Sequence, residues 1–223
     1  MPQPKPAPKP VPPPELQELD IATLPAPALL AILKNPASPE FRKAKACVRL
    51  GELGSKEAIP ALAALLNDEH LSVYARYGLE PIDGPEASAA LRAALPKLKG
   101  VRLIGVINSL AKRRDDDAAP LLAPLLRSSD ADLARAAAAA IGSIAAPSAV
   151  ADLQSALART TGLTQMAVAD ASLLCAERLL EAGKRVEALA LYASLSAPSV
   201  PKPVRLAAMA GIIREETSPN RPR

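Results

Sequence analysis

Leu50-Gly51-Glu52-Leu53-Gly54-Ser55-Lys56-Glu57-Ala58-Ile59-Pro60-Ala61-Leu62 is a stretch that returns, with substitutions, from Leu79, Leu110 and Ile141 onward. Leu50, Leu79, Leu110 and Ile141 are equivalent positions at a spacing of 29 to 31 residues. Leu53, Ile82 and Ile144 follow three residues later, with Arg113 in the third copy, and Leu62, Leu91, Leu122 and Leu153 close the units. Pro60 recurs as Pro120. Self-similarity at this period is the mark of a stacked repeat, each unit burying its apolar face against its neighbours.

Composition says which kind of repeat. Hydrophobic residues make up 49% of the 223-residue chain but aromatics only 2%, and much of the apolar content is alanine. Alanine is the best helix former, whereas strands draw on β-branched and aromatic residues. No segment alternates with period two for long enough to read as a strand. The expected fold is all-α, a right-handed α-solenoid of stacked helical hairpins.

The pattern predicts helix pairs at 39–53 with 56–67, 70–81 with 85–98, 101–113 with 116–127, and 130–145 with 147–158. Pro39 suits a first helical position. Gly54 stops one helix and Ser55 can cap the next. Ser129-x-x-Asp132 has the form of a capping box. Residues 15–37 are read as an N-terminal cap, through Leu16, Leu19, Ile21 and the run Leu29–Leu33. Longer helices at 164–182 and 185–195 and a capping helix at 202–215 complete the chain, before a disordered tail, 217–223. Residues 1–14 carry eight prolines, so they are expected to stay extended as a spacer. A spacer implies something upstream, and the chain reads as a form from which a leader has been removed.

The fourth unit carries a family likeness. Asp132, Arg135, the run Ala136–Ala140, Ile141-Gly142-x-Ile144, Val150, Leu153 and Leu157 resemble the short HEAT repeat of bacterial proteins and phycobilin lyases. The first unit resembles it nearly as well, and the likeness covers residues 38–160, as four repeats. The stretch Leu179–Tyr192 resembles half of a tetratricopeptide hairpin. Ala75–Ile82 with Gly105–Leu110 is similar to HEAT modules of bacterial envelope proteins that can accompany a 3-keto-disaccharide hydrolase domain. That resemblance implies an accessory module outside the cytoplasm and carries over no glycosidic chemistry, because the hydrolase domain is absent. The HEAT likeness speaks to fold and not to activity.

Several functions are disfavoured by composition. The net charge of +4 resides in the two ends, leaving 23 basic and 23 acidic side chains in residues 15–216. Nucleic-acid binding wants clustered uncompensated cations or aromatic platforms, and neither is present. His70 is the only histidine, so a metal site or a Ser–His–acid set has little to build on. Cys47 and Cys175 fall in different repeats and read as small buried residues. No apolar run approaches the length of a membrane helix. The run Lys112-Arg113-Arg114-Asp115-Asp116-Asp117 self-neutralises and reads as a solvated loop.

Residues that break the repeat pattern are the site candidates. Arg76 stands where other units have Cys47, Ile107 and Ala138, and Glu80 where they have Gly51, Ala111 and Gly142. They lie four apart on one helix face. Asn108 is the expected third member of a polar cluster, with Tyr74 or Tyr77 at its mouth. The cluster reads first as a network fixing repeat register, and otherwise as a pocket for a small molecule or saccharide.

The leading expectation is a non-catalytic, monomeric scaffold without cofactor, binding a protein or peptide on a concave face made by the second helices. Lys56, Glu57, Arg92, Lys97, Asp116 and Gln154 are its candidate contacts by position. A lyase- or glycosylase-like enzyme on a HEAT scaffold is the opposing reading.

Overall fold

Helices form wherever the repeat places an apolar stripe, and the computed structural model contains no strand among the residues it describes, 21–217. The expected proline-rich spacer, the Leu16 and Leu19 part of the cap, and the tail beyond Thr217 lie outside the described residues. Thr217 itself ends a helix, its hydroxyl donating to the Ile213 carbonyl at 2.9 Å.

The chain is an all-α solenoid of stacked hairpins arranged in two rows. The first row holds α2 (Glu40–Glu52), α4 (Ser72–Leu79), α6 (Gly100–Lys112), α8 (Ala131–Ile144) and α10 (Gly162–Glu181), each packed on the next. Before them, α1 (Ala26–Lys34) lies against α2. The second row holds α3 (Ile59–Ala64), α5 (Pro85–Ala94), α7 (Ala119–Leu122), α9 (Val150–Arg159) and α11 (Arg185–Leu195). The last helix, α12 (Lys202–Thr217), packs on both α10 and α11.

The repeat positions explain the stack. Leu50, Leu79, Leu110 and Ile141 are fully buried, as are Leu62, Leu91, Leu122 and Leu153. Ala58, Ala87, Ala118 and Ala149 are buried in the same register at the start of each second segment. Leu53 departs from it, at 42% exposed, while its equivalents Ile82 and Ile144 are buried.

Proline breaks the second row more than the pattern predicts. The expected helix 85–98 stops at Ala94, and Leu95–Lys97 continues as a 3₁₀ turn around Pro96. The expected helix 116–127 is three pieces: 3₁₀ at Asp116–Ala118, α7, and 3₁₀ at Ala123–Arg127. Pro124 has no N–H to return to the carbonyl four residues back and its ring crowds that carbonyl, so an α-helix cannot run through it. The helix expected over 56–67 likewise shrinks to a 3₁₀ turn and α3.

Caps differ in detail. Asp130, not Ser129, caps α8, its Oδ1 accepting from Asp132 N at 2.9 Å and Leu133 N at 3.2 Å. Ser55 sits at the predicted cap position, but its hydroxyl donates to Glu57. Gly54, at φ +63°, ends α2 as expected, with Ser55 N donating back to Leu50 O at 3.1 Å. Arg114 fills the same left-handed place after α6, at φ +50°.

Candidate functional site

The second and third units meet differently from the first two, and the polar outliers Arg76 and Glu80 lie at their junction. Position 105 is glycine, so α6 carries little bulk where it faces α4. The space at Gly105 is filled by a guanidinium: an added Cβ there would lie 2.7 Å from Arg76 Nε.

Arg76 Nη1 donates to Gly105 O at 3.2 Å and lies 3.3 Å from Ser109 Oγ. The Ser109 hydroxyl is 2.7 Å from Glu80 Oε1, and Lys112 Nζ donates to Glu80 Oε2 at 2.7 Å. Arg76 and Glu80 themselves are 3.9 Å apart, an ion pair without a hydrogen bond. Serine is the bridge between them. Glu80 is nearly sealed, with its side chain 6% exposed, while Lys112 is 70% exposed. The hydrogen bond and charge of Glu80 push the Lys112 pKa above its ordinary value.

Asn108 does not join this cluster: it is exposed, and Ser109 takes its place. Gly105, Ser109 and Lys112 are spaced i, i+4, i+7 and share the α6 face turned to α4, whereas residue 108 points away. Tyr77 is half exposed and lies beside Arg76, whose guanidinium carbon is 5.9 Å from the ring centre. Tyr74 is 39% exposed.

The acidic–basic run 112–117 is not a self-neutralising loop. Its charges reach back to the preceding unit. Arg113 donates from Nη1 to the carbonyls of Leu79, Glu80 and Ile82, at 3.1, 2.7 and 2.8 Å. It also donates from Nη2 to Gly84 O and from Nε to Ser88 Oγ, both at 2.8 Å. The last carbonyls of a helix have no intrahelical partner, and this one side chain takes up that of Leu79 together with three in the turn that follows α4. Asp115 takes Arg92 Nη1 on both oxygens at 2.6 Å, and Asp117 takes its Nη2 at 3.3 Å.

The surface candidates divide accordingly. Arg92 is spent on Asp115 and Asp117, and Gln154 donates to Ala190 O at 3.0 Å, so both stitch repeats together. Lys56 pairs with Glu86 at 3.4 Å. The Glu86 pKa is lowered first by a backbone hydrogen bond of its own and then by Lys56. Glu57, Lys97 and Asp116 are exposed, and His70 is exposed with its backbone N–H on Asp68. Cys47 and Cys175 are buried and free, and burial raises their pKa values to about 12 and about 11. Among the described residues, no group of three His, Cys, Asp or Glu is placed to hold a metal, and no helix is long and apolar enough to cross a membrane.

The described residues form an all-α array of stacked helical hairpins. No protein-family model matches the chain, and no curated protein matches it. Among solved structures it is similar to human deoxyhypusine hydroxylase in complex with glycerol. That match has 19% identity, covers 86% of this chain and 74% of that one, and has a TM-score of 0.43. It is similar also to the CpcE–CpcF complex of phycocyanin lyase from Nostoc, at 21% identity, covering 83% of this chain and 81% of that one, with a TM-score of 0.42. These likenesses concern the fold. They give no support to the link with envelope modules and the 3-keto-disaccharide hydrolase domain. They do correct the expectation that the chain is not an enzyme: the proteins it resembles include a hydroxylase and a lyase, so the lack of a recognised catalytic set excludes nothing.

Proposed function

We propose that the chain is a helical-repeat scaffold that holds a protein or peptide partner along its row of second segments. The observation that carries this reading is the uneven use of polar side chains. Those at the first-row junction are committed to one another, while Glu57, Lys97 and Asp116 on the second row are exposed and make no hydrogen bond or ion pair to another repeat among the described residues. A mixed-charge row of this kind suits a partner of alternating charge, and complementarity would set register and on-rate more than affinity.

The Arg76–Glu80–Ser109–Lys112 cluster is read as the lock between two repeats, since both Glu80 oxygens already accept from within the chain. The test is affinity capture with the full chain and with a charge-reversed variant, Glu57→Lys, Lys97→Glu and Asp116→Lys together. A protein retained by the parent and lost by the variant supports the reading. Equal retention by both, or recovery of nucleic acid instead, overturns it.

A further inference from the structure

A cleft of about 390 Å³ opens where the third and fourth second-row segments meet the start of α10. Its polar lining includes Arg127, Asp152, Ser155, Arg159, Thr161 and Thr164, beside Ser128 and Thr160, whose hydroxyls are already hydrogen-bonded to Asp130 N and Ala156 O. Arg127 ends one segment and Arg159 ends the next, so consecutive repeats each place a guanidinium at the same opening. Neither has an ion-pair or hydrogen-bond partner among the described residues, in contrast to Arg92 and Arg113. The side chains of Ser155, Thr161 and Thr164 are likewise unengaged.

From this we infer a binding site for a small organic phosphomonoester that also bears an ammonium or hydroxyl group. Two guanidiniums and three hydroxyls offer more donors than the roughly four lone-pair sites of a carboxylate can take. A phosphate group, with three strong acceptor oxygens and about two negative charges, matches them. The volume lies at the low end of the roughly 300–1,000 Å³ of small-molecule sites, and it leaves room beside a phosphate for an organic body. Asp152 fixes what that body carries. Its carboxylate repels a bare anion and accepts from an ammonium or hydroxyl. This site is independent of the scaffold reading, because it needs no macromolecular partner.

The test is calorimetric titration of the full chain with O-phosphoethanolamine, inorganic phosphate and ethanolamine. Saturable one-site binding of O-phosphoethanolamine is expected, at least fivefold tighter than inorganic phosphate, with ethanolamine unbound. Arg127→Ala and Arg159→Ala should each weaken it about tenfold, the usual scale for losing one charged hydrogen-bonding partner. Asp152→Asn should weaken O-phosphoethanolamine and tighten inorganic phosphate, by removing the carboxylate that repels a bare anion, and Lys45→Ala, on an exposed face of α2, should change neither. Thermal melts of the variants, whose altered side chains lie at the surface, confirm that they fold. No saturation by about 10 mM overturns the proposal, as does equal binding by the arginine variants. Inorganic phosphate binding as tightly as the ester sinks the organic part of it.

Discussion

The junction between the first two units and the junction between the second and third solve one packing problem in opposite ways. In the first, helix backbones touch: a Cβ added at Gly51 would lie 2.5 Å from Gly78 O, and one at Gly78 would lie 2.5 Å from Cys47 O. The contact between α8 and α10 is of the same kind, with Gly142 against Ala171 O at 2.5 Å. In the second, charged side chains occupy the space between helices and are satisfied almost wholly by one another and by carbonyls. Dry contact gains dispersion from close approach. A polar junction gains less net free energy and demands one geometry, because any slip strands a charge. The difference teaches that neighbouring repeats here hold together on separate physical terms, so they should fail separately.

The largest effect should come from closing the dry junction. Gly→Ala in an exposed helix stabilises by roughly 1 kcal/mol, but at Gly51 or Gly142 the new methyl meets backbone that must shift. Gly51→Ala and Gly142→Ala should each destabilise by about 2–3 kcal/mol, a fall of roughly 4–12 °C in Tm by calorimetry. A rise in Tm for either would show that the helices are not in backbone contact.

Glu80→Ala comes next. It leaves Arg76 and Ser109 facing a void, and the expected loss is about 2 kcal/mol, below the 3–5 kcal/mol of a fully buried pair because Lys112 returns to water. Denaturant melts would measure it. No loss of stability would return the cluster to the status of a ligand site. Arg113→Lys should cost a further fraction of this scale, about 1.5 kcal/mol, since a point charge cannot span the carbonyls of Leu79, Glu80, Ile82 and Gly84 at once.

A smaller effect follows from pH. The folded Lys112 pKa is raised above its unfolded value of 10.5, so its stabilising contribution is whole below that pH and is lost as pH rises through the folded value. Between the parent and Lys112→Met, the Tm difference should therefore shrink above pH 10.5. A constant difference across that range would dissolve the pairing. Smallest of all, Arg114→Gly should stabilise by about 0.5–1 kcal/mol, since Arg114 occupies a left-handed conformation that glycine adopts freely.

Much of the fold was legible because it is written in periodicity. The buried leucines recur on schedule, and even the buried alanines at 58, 87, 118 and 149 can be found by laying the copies over one another. The shortened second helices were legible too, in Pro96 and Pro124, had proline been weighed above the repeat. The site was half legible. Arg76 and Glu80 stood out as breaks in the pattern, but aligning copies position by position chose Asn108, whereas helical spacing from Gly105 through Lys112 selects Ser109. The run 112–117 misled for another reason. Its pairs span 23 to 34 residues, and a local reading of charge sees only the nearer, wrong partners. The cleft at Arg127 and Arg159 had no signal at all, since two lone arginines acquire meaning only when consecutive turns bring them to one opening.

The prolines of the second row also set how this array deforms. One edge of the ribbon consists of helices eight to twenty residues long, hydrogen-bonded throughout. The other is interrupted by 3₁₀ turns at Lys56–Ala58, Leu95–Lys97, Asp116–Ala118, Ala123–Arg127 and Pro147–Ala149, where the α-helical hydrogen-bond ladder breaks. When the ribbon flexes, the long helices act as a spine and the strain collects on the jointed edge. Amide deuteration would trace that edge as a fast-exchanging stripe alongside a slow one, with the two rates alternating every half repeat along the chain.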